Sequence, residues 1–107
     1  IKDPKRFLIR ELDDIQVKGK TEPVKIFEIV RCAEQQKTQM TQLIQNFEDA
    51  LKLYKLQKWD DALLAFTNCL RILPTDGPTS EYITRCKYFK EHSPGENWNG
   101  VWVMKSK

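Results

Sequence analysis

The sequence predicts an α+β fold made of a β-hairpin, a polar linker, three helices and a short aromatic tail. Two patterns in the 107 residues indicate this order. Before residue 32, β-branched and aromatic residues stand in short runs such as Ile15–Val17 and Val24–Val30, which is typical of strands. Beyond the linker, apolar residues recur at intervals of three and four, which is typical of amphipathic helices. The predicted segments are the hairpin at 1–31, the linker at 32–42, the helices at 43–95 and the tail at 96–107. The linker contains neither Gly nor Pro over residues 32–40, which is compatible with a helix that continues into the first predicted one.

The second strand of the hairpin is apolar on both sides. Val24, Ile26 and Val30 fall on one side, whereas Phe27 and Ile29 fall on the other. A strand of this kind is usually covered on both faces, and two strands alone are marginally stable in water. The hairpin is therefore predicted to belong to a larger sheet and core that these residues do not include.

A loop at Lys18–Pro23 joins the two strands. Within it, Gly19 can adopt a positive φ, and Pro23 can begin a strand although it cannot continue a ladder. Asp13 and Asp14 precede the loop and are interpreted as a bulge or turn rather than a metal-binding pair. The reason is that a strand directs neighbouring side chains to opposite faces.

Three helices are predicted at Thr41–Gln57, at Asp61–Leu73 and after Gly77. Pro74 stops the second helix, and Pro78 occupies the favoured first position of the third. Residues 93–95, Ser-Pro-Gly, end the third helix.

The start of the second helix carries two further signals. Asp60 is the predicted N-cap, and Trp59 is predicted to pack on Leu64 as a hydrophobic staple.

The tail is predicted to be a strand-like structural cap. It is rich in large apolar residues, whose burial is favourable, and Gly100 allows a tight turn. We therefore expect Trp98 or Trp102, or both, to lie against the helices or the hairpin.

Composition indicates a folded chain with a mixed charged surface. Charged residues make up 31% and apolar residues 40%, and the net charge is +3 from 18 basic and 15 acidic residues. A nucleic-acid-binding domain usually has a larger and clustered basic excess, so no nucleic-acid partner is predicted. No apolar run approaches the roughly 18 residues of a membrane span, so no membrane contact is predicted either.

The three cysteines are Cys32, Cys69 and Cys86, and the one histidine is His92. No CxxC spacing is present and His92 stands far from any pair of cysteines, which argues against a zinc site. The cysteines are interpreted as reduced, partly buried thiols of a cytoplasmic protein. A disulfide between Cys69 and Cys86 is the alternative.

Small and aromatic residues of the helical segment recur at fixed spacings, at Ala50, Tyr54, Trp59, Ala62, Phe66, Cys69, Leu70 and Pro74. These spacings resemble the tetratricopeptide repeat (TPR) over about residues 43–90. Ile83, Thr84 and Tyr88 match the first helix of a following repeat. The chain departs from the family pattern at Cys69, where alanine is more usual, and at Asn46, where a large aromatic is common. A generic helical hairpin with the same apolar stripe is the alternative.

Residues 10–29, RELDDIQVKGKTEPVKIFEI, resemble the last hairpin of class III adenylate and guanylate cyclases. That hairpin often reads R-x-L-x-x-(I/V)-x-(V/L)-K-G-K-x-x-P-V-x-(V/I)-(F/Y)-E-(I/V/L). Some bacterial cyclases carry after it a helical module with three further features. These are a Pro–Asp–Gly-Pro turn, here Pro74–Pro78, a Tyr–Arg-Cys helix, here Tyr82–Cys86, and a Trp-x-Gly-Val tail, here Trp98–Val101. The chain is therefore similar to the C-terminal part of a bacterial class III cyclase.

The resemblance implies a parent enzyme that converts ATP or GTP into the 3′,5′-cyclic nucleotide and pyrophosphate. It implies a homodimer that uses two divalent ions, Mg²⁺ or Mn²⁺. It also implies that Lys18, or less favourably Lys20, binds the β/γ-phosphates as a flexible ammonium beside a glycine. Without the resemblance, both lysines are interpreted as solvated loop residues.

The family's metal-binding aspartates, its Asn/Arg pair and its base-selecting residues lie earlier in its chain. No catalytic residue, metal site or cofactor is therefore predicted within these 107 residues. The segment is predicted to be a non-catalytic, TPR-like interaction or regulatory module attached to the rest of the cyclase domain. Its predicted location is cytoplasmic, and a membrane anchor further upstream in the parent is left open. The alternative is a stand-alone TPR scaffold.

Overall fold

The computed structural model describes residues 7–17 and 22–104. Its architecture confirms the predicted α+β class and the order of the elements. In chain order these are β1 (Phe7–Val17), β2 (Val24–Arg31), a 3-10 turn (Glu34–Gln36), α1 (Lys37–Lys55), α2 (Trp59–Ile72), α3 (Gly77–Glu91) and β3 (Trp102–Met104).

The strands form one sheet in the order β2-β1-β3. β1 and β2 are antiparallel, with Phe7 opposite Arg31 and Ile15 opposite Val24. β3 runs parallel to β1 and pairs with its last three residues. A parallel neighbour requires a long crossover connection, and here the three helices provide it. The strand-like tail was predicted, but its pairing with β1 was not.

A β-bulge interrupts β1 where its register with β2 shifts between Glu11 and Asp13. The predicted bulge near Asp13 and Asp14 is therefore confirmed. Because a bulge resets the alternation of side chains, Glu11 and Asp14 reach the same lysine: Lys55 Nζ lies 3.1 Å from Glu11 Oε2 and 2.9 Å from Asp14 Oδ2. Asp13 contacts a different helix, as described below.

The core lies between the helices, with α1 packed on α2 and α2 on α3. Aromatic rings interlock there, with ring centroids 5.5 Å apart for Phe47 and Phe66 and 4.8 Å apart for Tyr54 and Tyr82. Asn46, where the repeat pattern favours an aromatic, is exposed, and the adjacent Phe47 fills the core instead. The buried core residues are Leu43, Phe47, Ala50, Leu51, Tyr54, Ala62, Phe66, Cys69, Tyr82, Cys86 and Phe89.

All three helices begin before the predicted residue. α3 begins at Gly77, so Pro78 is its second residue and not its first. α1 begins four residues before the predicted Thr41, so the second half of the predicted linker is largely helical. The predicted cap and staple of α2 are wrong. Lys58 is the N-cap and Asp60 lies inside the first turn, while Leu64 is exposed. The reason is tertiary, because the ring of Trp59 stacks on Phe89 of α3.

α1 ends in a Schellman motif that sequence inspection missed. Lys58 N–H donates to the Leu53 carbonyl and Gln57 N–H to the Tyr54 carbonyl, both at 3.0 Å. Gln57 takes the left-handed conformation, with φ of 64°, in a position that glycine usually occupies. Its side-chain amide donates to the carbonyl of Gly95 at 2.7 Å, so the turn after α1 also anchors the segment after α3.

The tail packs as predicted, with both tryptophans against the helices. Trp98 lies 5.3 Å from the ring of Tyr54 and 5.2 Å from that of Phe89, and Trp102 lies 5.5 Å from Phe89, all as centroid distances. Gly100 has the positive φ, 83°, that the predicted turn requires.

Candidate functional site at the joint between hairpin and helices

Arg10 of β1 is the central group of the joint between the hairpin and the helices. Its side chain is only 2% exposed although it carries a permanent positive charge. Nη1 and Nη2 donate to the two carboxylate oxygens of Asp76 at 2.8 and 2.9 Å, and Nε donates to Glu28 of β2 at 2.9 Å. The guanidinium also lies 4.8 Å from the ring centroid of Phe47. A buried guanidinium is tolerated only with such complete pairing.

Asp76 has two roles in this joint. It is the N-cap of α3, where its carboxylate accepts from Thr79 N–H at 3.3 Å and from the Thr79 hydroxyl at 2.6 Å. It is also the bidentate partner of Arg10. Burial by itself raises the pKa of Asp76, but the hydrogen bonds from Arg10 and Thr79 outweigh it and hold the pKa below its ordinary value. The start of α3 is therefore tied to β1 by an ionised carboxylate.

Arg85 of α3 forms a second contact with β1. Its Nη1 and Nη2 donate to both carboxylate oxygens of Asp13 at 2.9 and 2.8 Å. The guanidinium lies 4.8 Å from the ring centroid of Tyr82 and 4.6 Å from that of Trp102. A planar cation between two aromatic rings gains cation–π attraction in addition to its ion pair. Burial alone would lower the pKa of Arg85, but the hydrogen bonds to Asp13 outweigh it and raise the pKa.

Tyr82 of α3 adds a neutral contact to the same strand. Its hydroxyl donates to the Leu12 carbonyl at 2.7 Å and lies 2.9 Å from Asp13 Oδ1. It thus satisfies the carbonyl at the bulge, where ladder hydrogen bonds are disrupted.

Two tyrosines in mutual contact provide a matched test of this bond. Tyr82→Phe is expected to lower the free energy of unfolding by about 1 kcal/mol, because the partly buried Leu12 carbonyl and Asp13 carboxylate lose a hydrogen bond. Tyr54→Phe is expected to leave it unchanged or slightly raised. The Tyr54 hydroxyl is buried without a hydrogen bond among the described residues. Urea unfolding of both variants measures the difference, and equal losses would contradict the role given to Tyr82.

A second and more exposed group of ion pairs involves Glu11 and Asp14 of β1. Lys55 of α1 and Lys25 of β2 both contact Glu11 and Asp14 at 2.9–3.1 Å. Burial raises the pKa of both carboxyls, but the hydrogen bonds from the lysines outweigh it and hold the pKa values below the ordinary ones. α1 therefore also contacts β1 through charge, although partial exposure makes each pair weak.

The predicted phosphate-binding residues, Lys18 and Lys20, lie outside the described residues. Asp13 and Asp14 are held by different cations and do not converge on one point. Across residues 7–17 and 22–104, no group of three or more His, Cys, Asp or Glu side chains is placed to hold a metal ion.

The three cysteines are buried and unpaired, as the reduced-thiol interpretation predicts. Burial raises the pKa of Cys69 to about 11 and that of Cys86 to about 12. Both thiols are therefore protonated at neutral pH and are poor nucleophiles. His92 is the C-cap of α3, and its ring stacks on Tyr88 with a centroid distance of 4.5 Å.

A groove of about 680 Å³ opens between α3 and the tail. Tyr88, Phe89, Trp98 and Trp102 line it, so it presents mainly aromatic surface. Arg85 also lines it, but its guanidinium is already paired with Asp13.

Sequence reasoning missed Arg10, Asp13 and Arg85 as interacting groups. Two features of the sequence indicated part of the contact between Arg10 and Asp76. Arg10 interrupts the apolar start of β1, and Asp76 stands before Gly-Pro in an N-cap position. The residues that meet at the joint belong to the two segments that carry the cyclase resemblance. Arg10 and Leu12 come from the hairpin pattern, and Asp76, Tyr82 and Arg85 come from the helical one.

Comparison with known proteins relates this chain to a segment of an adenylate cyclase. The relative is the terminal-differentiation specific adenylate cyclase of Dictyostelium discoideum, 36% identical over 81 residues. The match covers 75% of this chain and 4% of that protein, so the chain spans only a small part of the relative. No protein-family profile and no solved structure matches the chain.

A match that covers 75% of this chain leaves about a quarter of it outside, so wherever the match begins it includes α1 and α2. The similarity therefore extends through α1 and α2 and is not confined to the hairpin. The chain is a cyclase-related segment in which hairpin and helices are joined. None of the helices among residues 7–17 and 22–104 combines the length and the hydrophobicity that a membrane span requires.

Proposed function

We propose that this chain is part of a class III nucleotide cyclase, in which the three helices form a non-catalytic, TPR-like regulatory module docked on the last hairpin of the cyclase domain. The parent enzyme converts ATP or GTP into the cyclic nucleotide and pyrophosphate for signalling. The similarity to an adenylate cyclase supports the parent activity, and the paired guanidinium groups of Arg10 and Arg85 support the docked module.

The observation that carries this proposal is the outer face of the hairpin. Ile9, Phe27 and Ile29 are 65%, 55% and 69% exposed, and Ile9 and Ile29 are directly opposite each other in the sheet. The other face packs toward the helices, where Arg10 and Val30 are buried. Apolar side chains grouped on one face of a sheet mark a surface that another element covers. In the proposal, the rest of the cyclase domain covers it.

Lys18, with Lys20 as the weaker candidate, binds the β/γ-phosphates of the nucleotide in this proposal. The phosphate charge is stabilised by an ammonium on a flexible stem, and Mg²⁺ or Mn²⁺ bound elsewhere in the parent assists. The parent acts as a cytoplasmic homodimer. The bacterial origin that the resemblance implies stays a prediction, since the relative is from Dictyostelium discoideum.

A stand-alone TPR-type scaffold is the second candidate, and the sequential packing of α1 on α2 and α2 on α3 favours it. It leaves the apolar outer face of the hairpin without a function. The full-length sequence separates the two, because a cyclase has two metal-binding aspartates upstream whereas a scaffold has further repeats.

Formation of cyclic AMP and cyclic GMP by the purified full-length protein tests the proposed function. With Mg²⁺ or Mn²⁺ and ATP or GTP, we expect turnover from the full-length protein and none from residues 1–107 alone, because catalysis depends on charged groups positioned elsewhere. A full-length protein without turnover contradicts the cyclase assignment, and turnover by the 107 residues contradicts the non-catalytic role of the module.

A further inference from the structure

We infer that strand β3 and Arg85 position the end of β1 for the reaction of the parent cyclase. This inference rests on the proposed function. In it, the tail covers the helices and also holds the nucleotide-binding hairpin in position.

The first observation is the pairing of β3. Its three residues, Trp102–Met104, pair with Ile15, Gln16 and Val17 of β1. Along β1, the described pairing with β2 reaches as far as Ile15, which lies opposite Val24. Gln16 and Val17 lie beyond that pair, and β3 pairs with both of them. In the sequence, Lys18 follows Val17 directly.

The second observation is that Arg85 holds β1 and β3 together from one position on α3. Its guanidinium makes two hydrogen bonds to Asp13, two residues before the β3-paired segment. The same group lies 4.6 Å from the ring centroid of Trp102 in β3. Arg85 is 5% exposed, so both contacts form in a largely desolvated setting, where charge interactions are stronger than in water.

The third observation is that the tail has two tryptophans with different contacts. Trp102 contacts Arg85 and belongs to the strand beside β1. Trp98 packs against rings of the helices, with centroid distances of 5.3 Å to Tyr54, 5.6 Å to Trp59 and 5.2 Å to Phe89. Both side chains are half-buried. Trp102 also packs on the helical core, with its ring centroid 5.5 Å from that of Phe89. Of the two tryptophans, however, it is Trp102 that lies in the strand beside β1 and contacts Arg85.

A displaced phosphate-binding group has a large effect on catalysis. A misplacement of about 1 Å caused by a change far from the reacting atoms can cost on the order of a hundred-fold in rate. Loosening one end of β1 is a smaller perturbation, and we expect about a ten-fold loss.

The test compares Trp102→Ala with its matched control Trp98→Ala in the full-length protein. Both variants remove the same side chain from the same tail. Because both rings pack on Phe89, we expect both variants to lower the melting temperature. Per folded molecule, we expect Trp102→Ala to lower kcat/KM for the nucleotide by about ten-fold and Trp98→Ala to leave it near wild type. Trp102→Phe keeps a ring beside Arg85 and is expected to restore most of the activity.

Hydrogen exchange of the same full-length variants gives a second readout. Faster exchange at the end of β1 in Trp102→Ala, but not in Trp98→Ala, is expected. Equal kcat/KM losses in the two alanine variants, or no loss in Trp102→Ala, would overturn the inference while leaving the cyclase assignment intact. A wild-type protein without cyclase activity would instead refute the proposed function, and the exchange data would still report whether Trp102 holds β1.

Discussion

Arg10→Ala is expected to lower the free energy of unfolding by about 3–5 kcal/mol. Natural domains are stable by only about 5–15 kcal/mol in total, so this variant is expected to be largely unfolded at moderate urea concentrations. The reason is that the substitution leaves Asp76, which is 6% exposed, as a buried carboxylate without its cation. Far-UV circular dichroism across a urea titration measures the loss.

Two further variants distinguish the loss of the buried Arg10–Asp76 ion pair from the loss of any one positive charge. Lys90→Ala removes a cation from the exposed ion pair with Asp60, and it is expected to change the unfolding curve little because exposed pairs contribute little. The double variant Arg10→Met with Asp76→Asn is expected to regain most of the stability. It removes both charges, and asparagine remains a good N-cap for α3. A loss for Arg10→Ala as small as that for Lys90→Ala would contradict the role of Arg10 in the joint.

Lys18→Ala in the full-length protein is expected to lower kcat/KM for the nucleotide by roughly ten- to hundred-fold. The proposed contact with the triphosphate is a charge-assisted one, and its loss weakens binding of the transition state. Steady-state kinetics with ATP and GTP measure the change.

Lys20→Ala and Lys25→Ala serve as controls for Lys18→Ala, because each removes one positive charge from the same hairpin. Lys20→Ala is expected to have a smaller effect, and Lys25→Ala little effect, since Lys25 is paired with Glu11 and Asp14. Near-wild-type kinetics for both Lys18→Ala and Lys20→Ala would return these lysines to the solvated-loop interpretation.

Local patterns predicted most of the secondary structure. The three-and-four spacing of apolar residues located the helices, and a bulge or turn was predicted at Asp13 and Asp14. The start of α2 could not be predicted, because Trp59 is drawn into the helix by its contact with Phe89 on α3. A capping signal at Asp60 has a smaller effect than the burial of a large aromatic ring.

The order of the elements, the apolar stripes of the helices and the need to bury the aromatic tail could be predicted from local patterns, since each depends on residues close together in the chain. Which charges are buried could not be predicted in this way, because it depends on contacts between distant residues. Arg10 meets Asp76 across 66 residues, and Asp13 meets Arg85 across 72. An arginine or aspartate in the sequence can lie either on a solvated surface or in a buried ion pair. Composition and spacing do not distinguish these two environments. The distinction arises because packing α3 and β3 against β1 removes these groups from water, after which their charges must be satisfied by one another.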